Sequence, residues 1–550
     1  MYDAIIIGAG PAGLMAGYIL GKNNLSYIVI EQGSDYLERK SSRPYDVSYG
    51  FGGAGLFSDG KFSYPPAASK LWTVRDSRLL ENAYNNFYEL LSSLNIDVLP
   101  WNCDWIVQCS NRERMDGEKH YKHIRIGDDE RYKILDYFHK VILDSNKVRL
   151  GSKVLNIRRV ESGFKVECED SIEYQGLNVI IASGKRSSSN MLRDIENIRY
   201  RKYCEVGVRV ECENRYFTYK DKKEDLKNIT NIDDNTDVRT FCTCWQGRVV
   251  ESFYDDKHIT YNGETVVGYS KTNIGIVVKS SNVKSILYRN GVDVYKTLNP
   301  NKIDLTEYRS GKKFLGLPLD NEIRKYLNVL LTSDAVGLVY GPEIEKYGKY
   351  PIPDTNLQIA PGVYVVGDGT ALFRGLVAAF VSGAYVALKI KKDEDFKQII
   401  EDLGVKTSPI ESMIIVFTAH SKTSFYAKNI ICEHVFKNNA IPINPYRSFG
   451  YFLDDRVERN LVRQANNQMV IKCDELWVYG RISDGVLFEI VNALKFNKPI
   501  RFFTIGTHIN DIREIKIDDL KFEPEVHAKH IRKTDIQEFI KRGLSYIKKE

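Results

Sequence analysis

The chain has 550 residues, 43% of them hydrophobic and 27% charged, a balance that builds folded cores and excludes a disordered chain. That length implies more than one domain. A net charge of +6 over the whole chain is too dilute to point to nucleic acid. No apolar run of about 18 residues occurs, so no membrane-spanning helix is expected.

The first stretch, MYDAIIIGAGPAGLMAGYIL, is apolar enough to pass for a signal peptide, but Asp3 stands where such a peptide carries Lys or Arg. Its glycines have another explanation. Ala4 to Ile7 form a short β-branched run suited to a buried parallel strand. Gly8, Gly10, Pro11, Ala12 and Gly13 follow, then a helical stretch, then a second apolar run, Tyr27 to Ile30, ending in Glu31. This is strand, GxGxxG, helix, strand and acidic residue in one unit, the pattern that binds dinucleotides. Gly8 permits the tight turn, Gly10 lets backbone approach a pyrophosphate, and Gly13 lets the helix pack on the sheet. The helix N-terminus presents amides to the phosphates, and Glu31 is placed to accept from ribose hydroxyls.

Nine cysteines are scattered without a CxxC pair. They read as reduced thiols of a cytoplasmic protein, with neither a disulfide framework nor a metal site expected. The one close pair, Cys242-Thr243-Cys244, reads as two thiols on one face of a strand.

NAD and FAD share the N-terminal fingerprint, and the remainder of the chain separates them. Residues 153–175 alternate like a β-meander, and Val179 to Gly184 resemble the strand end that follows it in two-dinucleotide-binding flavoproteins. A strand ending in Gly367-Asp368-Gly369 and leading into a helix resembles the C-terminal motif of the same proteins. The string YGFGGAGLFSDGKF (residues 49–62), with "GVRVE" at 207–211, "RTFC" at 239–242 and "GPE" at 341–343, resembles a family of FAD-dependent dehydrogenases over residues 1–392. Gly50 to Gly55 also fit GxGxxG, but no apolar strand precedes them, so no second dinucleotide site is read there.

The resemblance implies FAD as cofactor, held by residues from both ends of the domain. Besides the first glycine motif and Glu31, the implied set is Gly53, Ala54, Ser58, Asp59, Val154, Ser183, Gly184, Gly367, Asp368, Arg374, Gly375 and Leu376. Lys61 is placed near the flavin ring, where its charge would stabilise the reduced anion. Arg239 and Cys242 are candidates for anion pairing and proton transfer to substrate, with a structural pairing of Arg239 to Glu211 as the alternative. Trp245 is bulkier than the family pattern and bears on the shape of the substrate pocket. No second nucleotide unit is present for NADPH, so NADH or NADPH would stack on the flavin directly, or the substrate would itself donate electrons.

A charge-dense stretch, Lys391 to Glu401, followed by Thr407-Ser408-Pro409, marks a boundary. From Met413 strands alternate with helical stretches at 423–438, about 454–470 and 485–496, a second parallel α/β unit without GxGxxG. Ser483 to Ile490, with Ala493 and Lys498-Pro499, resemble nucleoside 2-deoxyribosyltransferases and their flavodoxin-like relatives. That resemblance places Glu489 at the position that attacks the anomeric carbon, and Asp474 and Asp484 as sugar or base ligands. Ser483 joins them in the loop. His420 and Ser421 end a strand, where ligands of such sheets bind, although the glycine usual there is missing.

The fold expected is α/β: a Rossmann-type FAD-binding domain with an inserted β-rich substrate domain at 1–392, a linker at 393–408, a flavodoxin-like parallel α/β domain at 409–508, and a helical extension at 509–550. The function expected is a cytoplasmic FAD-dependent oxidoreductase fused to a deoxyribosyltransferase-like domain, which suggests a nucleobase, nucleoside or nucleotide as substrate. Two alternatives stand beside it. One is N-glycosidic exchange or hydrolysis at Glu489 with FAD structural. The other is a nucleotide-sensing domain that gates flavin electron transfer.

Overall fold

The computed structural model describes all residues except 42–47, 59, 111–116, 119–121, 144, 186–189, 219–226, 255–257, 267, 283, 285–286, 290–291, 317–319, 403–412, 450–456, 528–531 and 548–550. The chain divides into two compact units, Met1–Val405 and Lys406–Glu550.

The first unit begins with β1 (Tyr2–Ile7), α1 (Pro11–Lys22), β2 (Tyr27–Ile30), β3 (Val148–Arg149) and β4 (Glu173–Ile181). A second sheet is then built from β5 (Tyr200–Glu213), β6 (Thr236–Cys244), β7 (Lys271–Ser280) and β8 (Gly337–Pro351), before the chain returns as β9 (Val363–Val365) and α2 (Leu376–Asp402). The parallel part of the first sheet runs β9-β4-β1-β2-β3, with Gln358–Ala360 antiparallel to β9 at the edge. β1 connects to one side through α1 and is joined on the other side by β4, so the strand order reverses there. Such a switch point opens a crevice at the C-terminal end of β1, where the first glycine loop lies. The antiparallel strands Val154–Val160 and Gly163–Cys168 feed β4, the meander that the sequence alternation predicts.

The second sheet is antiparallel, with β8-β5-β7-β6 in its centre. Period-two alternation splits its faces. Val206, Val208, Val210, Ile274, Ile276 and Val278 share a core with Ile323 and Leu327 of the helix Asp320–Leu330. The intervening residues, among them Glu205, Arg209 and Arg239, occupy the opposite face.

The second unit contains β10 (Ile414–His420), α3 (Lys428–Lys437), β11 (Ala440–Ile443), α4 (Arg459–Lys472), β12 (Glu475–Tyr479), α5 (Asp484–Lys495), β13 (Ile500–Phe503) and α6 (Lys533–Ile547). Its strands run β11-β10-β12-β13, all parallel, a doubly wound order with its own switch point between β10 and β12.

One boundary differs from expectation. Residues 393–402, assigned to a linker on composition, are the last turns of α2. The pairs Lys389–Asp393 and Lys391–Asp395 stand four residues apart on that helix. The charge density therefore belongs to a solvated helix end held by such pairs. Among the described residues no helix is long and apolar enough to cross a membrane.

Candidate functional site

A cavity of about 2340 Å³ opens in the first unit, lined both by the ends of the parallel strands and by the polar face of the second sheet. Gly8 adopts φ +106°, and a Cβ there would lie 2.5 Å from the carbonyl oxygen of Ala182. Gly13 is not in the lining but beneath it, where a Cβ would lie 1.9 Å from the Gly8 oxygen, so glycine is what seats α1 on the loop. Gly10 caps α1 without a side-chain bond, and Pro11 at the first helical position has no N–H. Gly10, Pro11 and Ala12 all border the cavity, which leaves the helix N-terminus as an anion cradle.

Glu31 is buried, and its carboxylate holds three loops together. Oε2 accepts from the Ala9 N–H at 2.8 Å, and Oε1 from Gly33 at 2.9 Å and Gly50 at 3.0 Å. A carboxylate has capacity for about one more acceptance, so Glu31 is a clasp with room for one further donor. The second glycine loop packs on the first: Gly52 N–H donates to Ala9 O at 2.8 Å, and a Cβ on Gly53 would lie 2.8 Å from Gly10 Cα. Arg39, which sequence reading passed over, is buried and donates to the carbonyls of Phe51 at 2.7 Å and Gly53 at 3.1 Å. Gly50 to Gly55 form a turn and a short 3-10 segment rather than a strand-to-helix unit, in keeping with their exclusion as a second dinucleotide motif.

The C-terminal motif reaches the same cavity. Gly367, at φ +61°, donates its N–H to Ser382 Oγ at 2.9 Å, and Asp368 follows with Oδ1 buried and unpartnered. Gly375, at φ +99°, would point a Cβ into open space, and Leu376 begins α2. Val154, Ser183 and Gly184 line the wall between the two motifs, with Ser183 Oγ also unpartnered. Ala54, Ser58 and Lys61 line it as well, with the Ser58 hydroxyl donating to Gly55 O at 2.8 Å. Asp59 lies outside the described residues.

The second sheet contributes an ionic cluster that sequence reading largely missed. Arg239 pairs with Glu205 at 2.5 Å, not with Glu211. Lys346 stands 3.5 Å from Glu205 and donates to Ala371 O. Arg374 bonds Glu345 at 2.7 Å and lies 3.5 Å from Asp368. Lys185 pairs with Glu345 at 3.1 Å, and fully buried Arg209 with Glu343 at 2.6 Å. Burial pushes the Lys346 ammonium down to about 8, against the pull of Glu205. Burial also pushes the Glu343 carboxyl up, opposed by Arg209. For Glu205 burial acts upward too, but Arg239, Lys346 and Arg374 together hold it below the usual carboxylate range. Lys346 and Glu205 both line the cavity, so its wall carries an ammonium whose proton is loosened by burial beside a fixed negative charge. Trp245 is not in the lining; it packs edge-on to Phe217 at 5.7 Å in the core behind the sheet, so its bulk does not shape the pocket.

In the second unit His420 and Ser421 lie at the C-terminal edge of β10. His420 is buried, with Nε2 3.0 Å from Asn444 Nδ2 and its ring 4.8 Å from that of Tyr446. Burial pushes its imidazole down to about 4, so it is neutral. Ser421 Oγ caps the turn Lys422–Ala427 by accepting from Thr423 N–H at 3.3 Å. Ser483 caps α5, and Asp484 N–H donates to Glu525 at 3.4 Å. Glu489 sits on the second turn of α5; part of its surface stays open to solvent, yet loss of water around the carboxyl pushes it up to about 8. Asp474 is misplaced as a ligand. It precedes β12 at the opposite edge of the sheet from His420, and its Oδ2 accepts from Ile415 N–H at 2.8 Å.

No curated protein matches the chain. A family profile described as a domain of unknown function (DUF7768) matches residues 417–503, from β10 into β13. Among solved structures, tetracycline destructase Tet(51) is 14% identical, with 85% of this chain and 96% of that one covered at a TM-score of 0.32. A geranylgeranyl bacteriochlorophyll reductase-like protein from Thermoplasma acidophilum is 16% identical over 73% of this chain and 82% of its own, at 0.34. The 2,6-dihydroxypyridine-3-hydroxylase of Arthrobacter nicotinovorans is 10% identical over 73% and 87%, also at 0.34. At these TM-scores the likenesses carry no weight for this chain, whose site stands on its own geometry.

The raised Glu489 carboxyl has a consequence for stability. The folded chain retains its proton up to about pH 8 while the unfolded chain loses it near 4.5. The stabilisation is therefore full below 4.5 and is lost as pH rises through 8. Glu489→Gln removes that dependence, so the melting temperature of the variant should rise relative to wild type between about pH 5 and about pH 9. A difference that stays constant with pH would contradict a neutral Glu489.

Proposed function

We propose that the first unit is an FAD-dependent oxidoreductase. The observation that supports it most is the convergence of two glycine-bearing helix N-termini, Gly10 to Ala12 and Gly375-Leu376, with Asp368 on one cavity. The residues present fit the dinucleotide. The N-terminus of α1 suits the pyrophosphate, Glu31 the adenosine ribose, and the unpartnered Asp368 Oδ1 and Ser183 Oγ suit hydroxyls of the flavin side. When bound, FAD supplies hydride acceptance and donation. The chain's own groups do the remainder. Lys61 and Arg374 place positive charge on the cavity wall, Arg239, held in place by Glu205, pairs with an anionic substrate, and Lys346 moves a proton near neutral pH. Cys242 faces the same space, and NADH or NADPH is proposed as the reductant.

The protein is expected to purify yellow, and anaerobic NADH or NADPH to bleach the flavin bands. Asp368→Ala should lower FAD affinity at least about tenfold, roughly 1.4 kcal/mol, measured by equilibrium dialysis. Unchanged affinity would remove Asp368 from the cofactor site.

For the second unit we propose nucleoside or nucleotide binding at the C-terminal edge of its sheet, with a nucleobase, nucleoside or nucleotide as the shared substrate class of the two units. Glu489 carries this reading. A carboxyl neutral at pH 7 is poised to protonate a leaving base and is a weak nucleophile until deprotonated. Base release from 2′-deoxynucleosides, followed by chromatography, should occur with wild type and be abolished in Glu489→Ala. Wild type that releases no base would leave this unit a binding domain, as in the sensing alternative.

A further inference from the structure

Cys242 and Cys244 stand two residues apart on β6, where a regular strand would space their backbones by about 6.6 Å. The strand is not regular there. Phe241 pairs with Gly275 and Cys244 with Asn273, so one extra residue of β6 is bulged out against β7. Cys242 itself adopts φ +47°, a left-handed conformation that costs a residue with a side chain. The outcome of this strained geometry is that the two sulfur atoms stand 3.9 Å apart, both as thiols.

Their surroundings are unequal. Cys242 lines the cavity, whereas Cys244 is fully buried. Two glycines close around Cys244: a Cβ on Gly247 would lie 2.6 Å from the Cys244 Cβ, and one on Gly263 2.7 Å from its Sγ. The Arg209 guanidinium donates to the Cys242 carbonyl at 3.1 Å and so holds the backbone at the bulge. A cavity-lining thiol with a shielded partner in sulfur contact is the arrangement of an attacking and a resolving cysteine.

We propose that Cys242 and Cys244 form a dithiol–disulfide couple in the cavity wall, which exchanges with low-molecular-weight disulfides. The Cys242 thiolate attacks one sulfur of the acceptor disulfide, forming a mixed disulfide and releasing the first acceptor thiol. The Cys244 thiolate then attacks Cys242 Sγ, forming the intrachain bond and releasing the second acceptor thiol. The pair loses two electrons and two protons, and the acceptor gains them as two thiols. The couple does not depend on the flavin reading, since its acceptor is a disulfide.

Glutathione disulfide is the probe. The full chain is incubated with it, quenched in acid, denatured, alkylated with N-ethylmaleimide and digested with trypsin. Thr240 to Arg248 form one tryptic peptide that carries both cysteines. In wild type this peptide should lose two hydrogen atoms and take no alkylation, and dithiothreitol should restore two alkylated cysteines. Cys244→Ser should instead accumulate a stable glutathione adduct on Cys242, and Cys242→Ser should leave Cys244 unmodified. Wild-type peptide that stays doubly alkylated at excess glutathione disulfide, or that stops at the adduct with Cys244 still alkylated, overturns the proposal. The wild-type measurement decides even where a variant folds poorly, and flavin content measured alongside reports separately on the cofactor.

Discussion

The first unit depends on one close approach between its two ends. Gly383 of α2 lies so near α1 that a Cβ would be 2.0 Å from the carbonyl oxygen of Ala12, and a Cβ on Gly367 would touch the Ala12 Cβ at 3.2 Å. Segments separated by most of the unit are thereby locked side by side, and both helix N-termini are brought to one cavity. The Glu31 clasp performs the same task among the loops, tying Ala9, Gly33 and Gly50 to one buried carboxylate. A dinucleotide fingerprint by itself holds phosphate; the packing of α2 on α1 turns it into a site with a second wall.

That second wall is the ionic face of the antiparallel sheet. A buried charge is costly unless paired, and here each carboxylate meets a cation: Glu205 with Arg239 and Lys346, Glu345 with Arg374 and Lys185, Glu343 with Arg209. The glycines opposite make room for them. A Cβ on Gly275 would lie 2.3 Å from a Glu343 oxygen. The bulge at Cys242 belongs to the same wall. Glu345 Oε1, left without a hydrogen-bond partner there, is placed where a ligand would complete it.

Local chemistry was legible in the sequence, and long-range pairing was not. Gly8, Gly10, Gly13 and Glu31 are separated by a fixed strand–turn–helix–strand geometry, so their spacing alone places them. Gly367 and Asp368 are legible only through the resemblance of their strand end to the C-terminal motif of two-dinucleotide-binding flavoproteins. Lys346 and Glu205 face each other only through the register of β5 on β8, which no local pattern encodes, and Arg239 was accordingly matched to the wrong glutamate. Arg39 was missed because its role is to bond backbone carbonyls, a contact with no sequence signature. Asp474 shows a different gap: its carboxylate serves the neighbouring strand's backbone at the edge of the sheet away from the ligand-binding ends. Composition alone reads the charged end of α2 as a linker, because composition reports solvation and a solvated helix and a linker share it.

The central claim is that one cavity holds a dinucleotide by its pyrophosphate and adenosine half as well as by its flavin. Titration calorimetry of the flavin-free chain with FAD and with FMN tests this directly, since FMN lacks the adenylate half. The account predicts that FAD binds at least about 100-fold more tightly, roughly 2.7 kcal/mol. Equal affinities, or a preference for FMN, would contradict it.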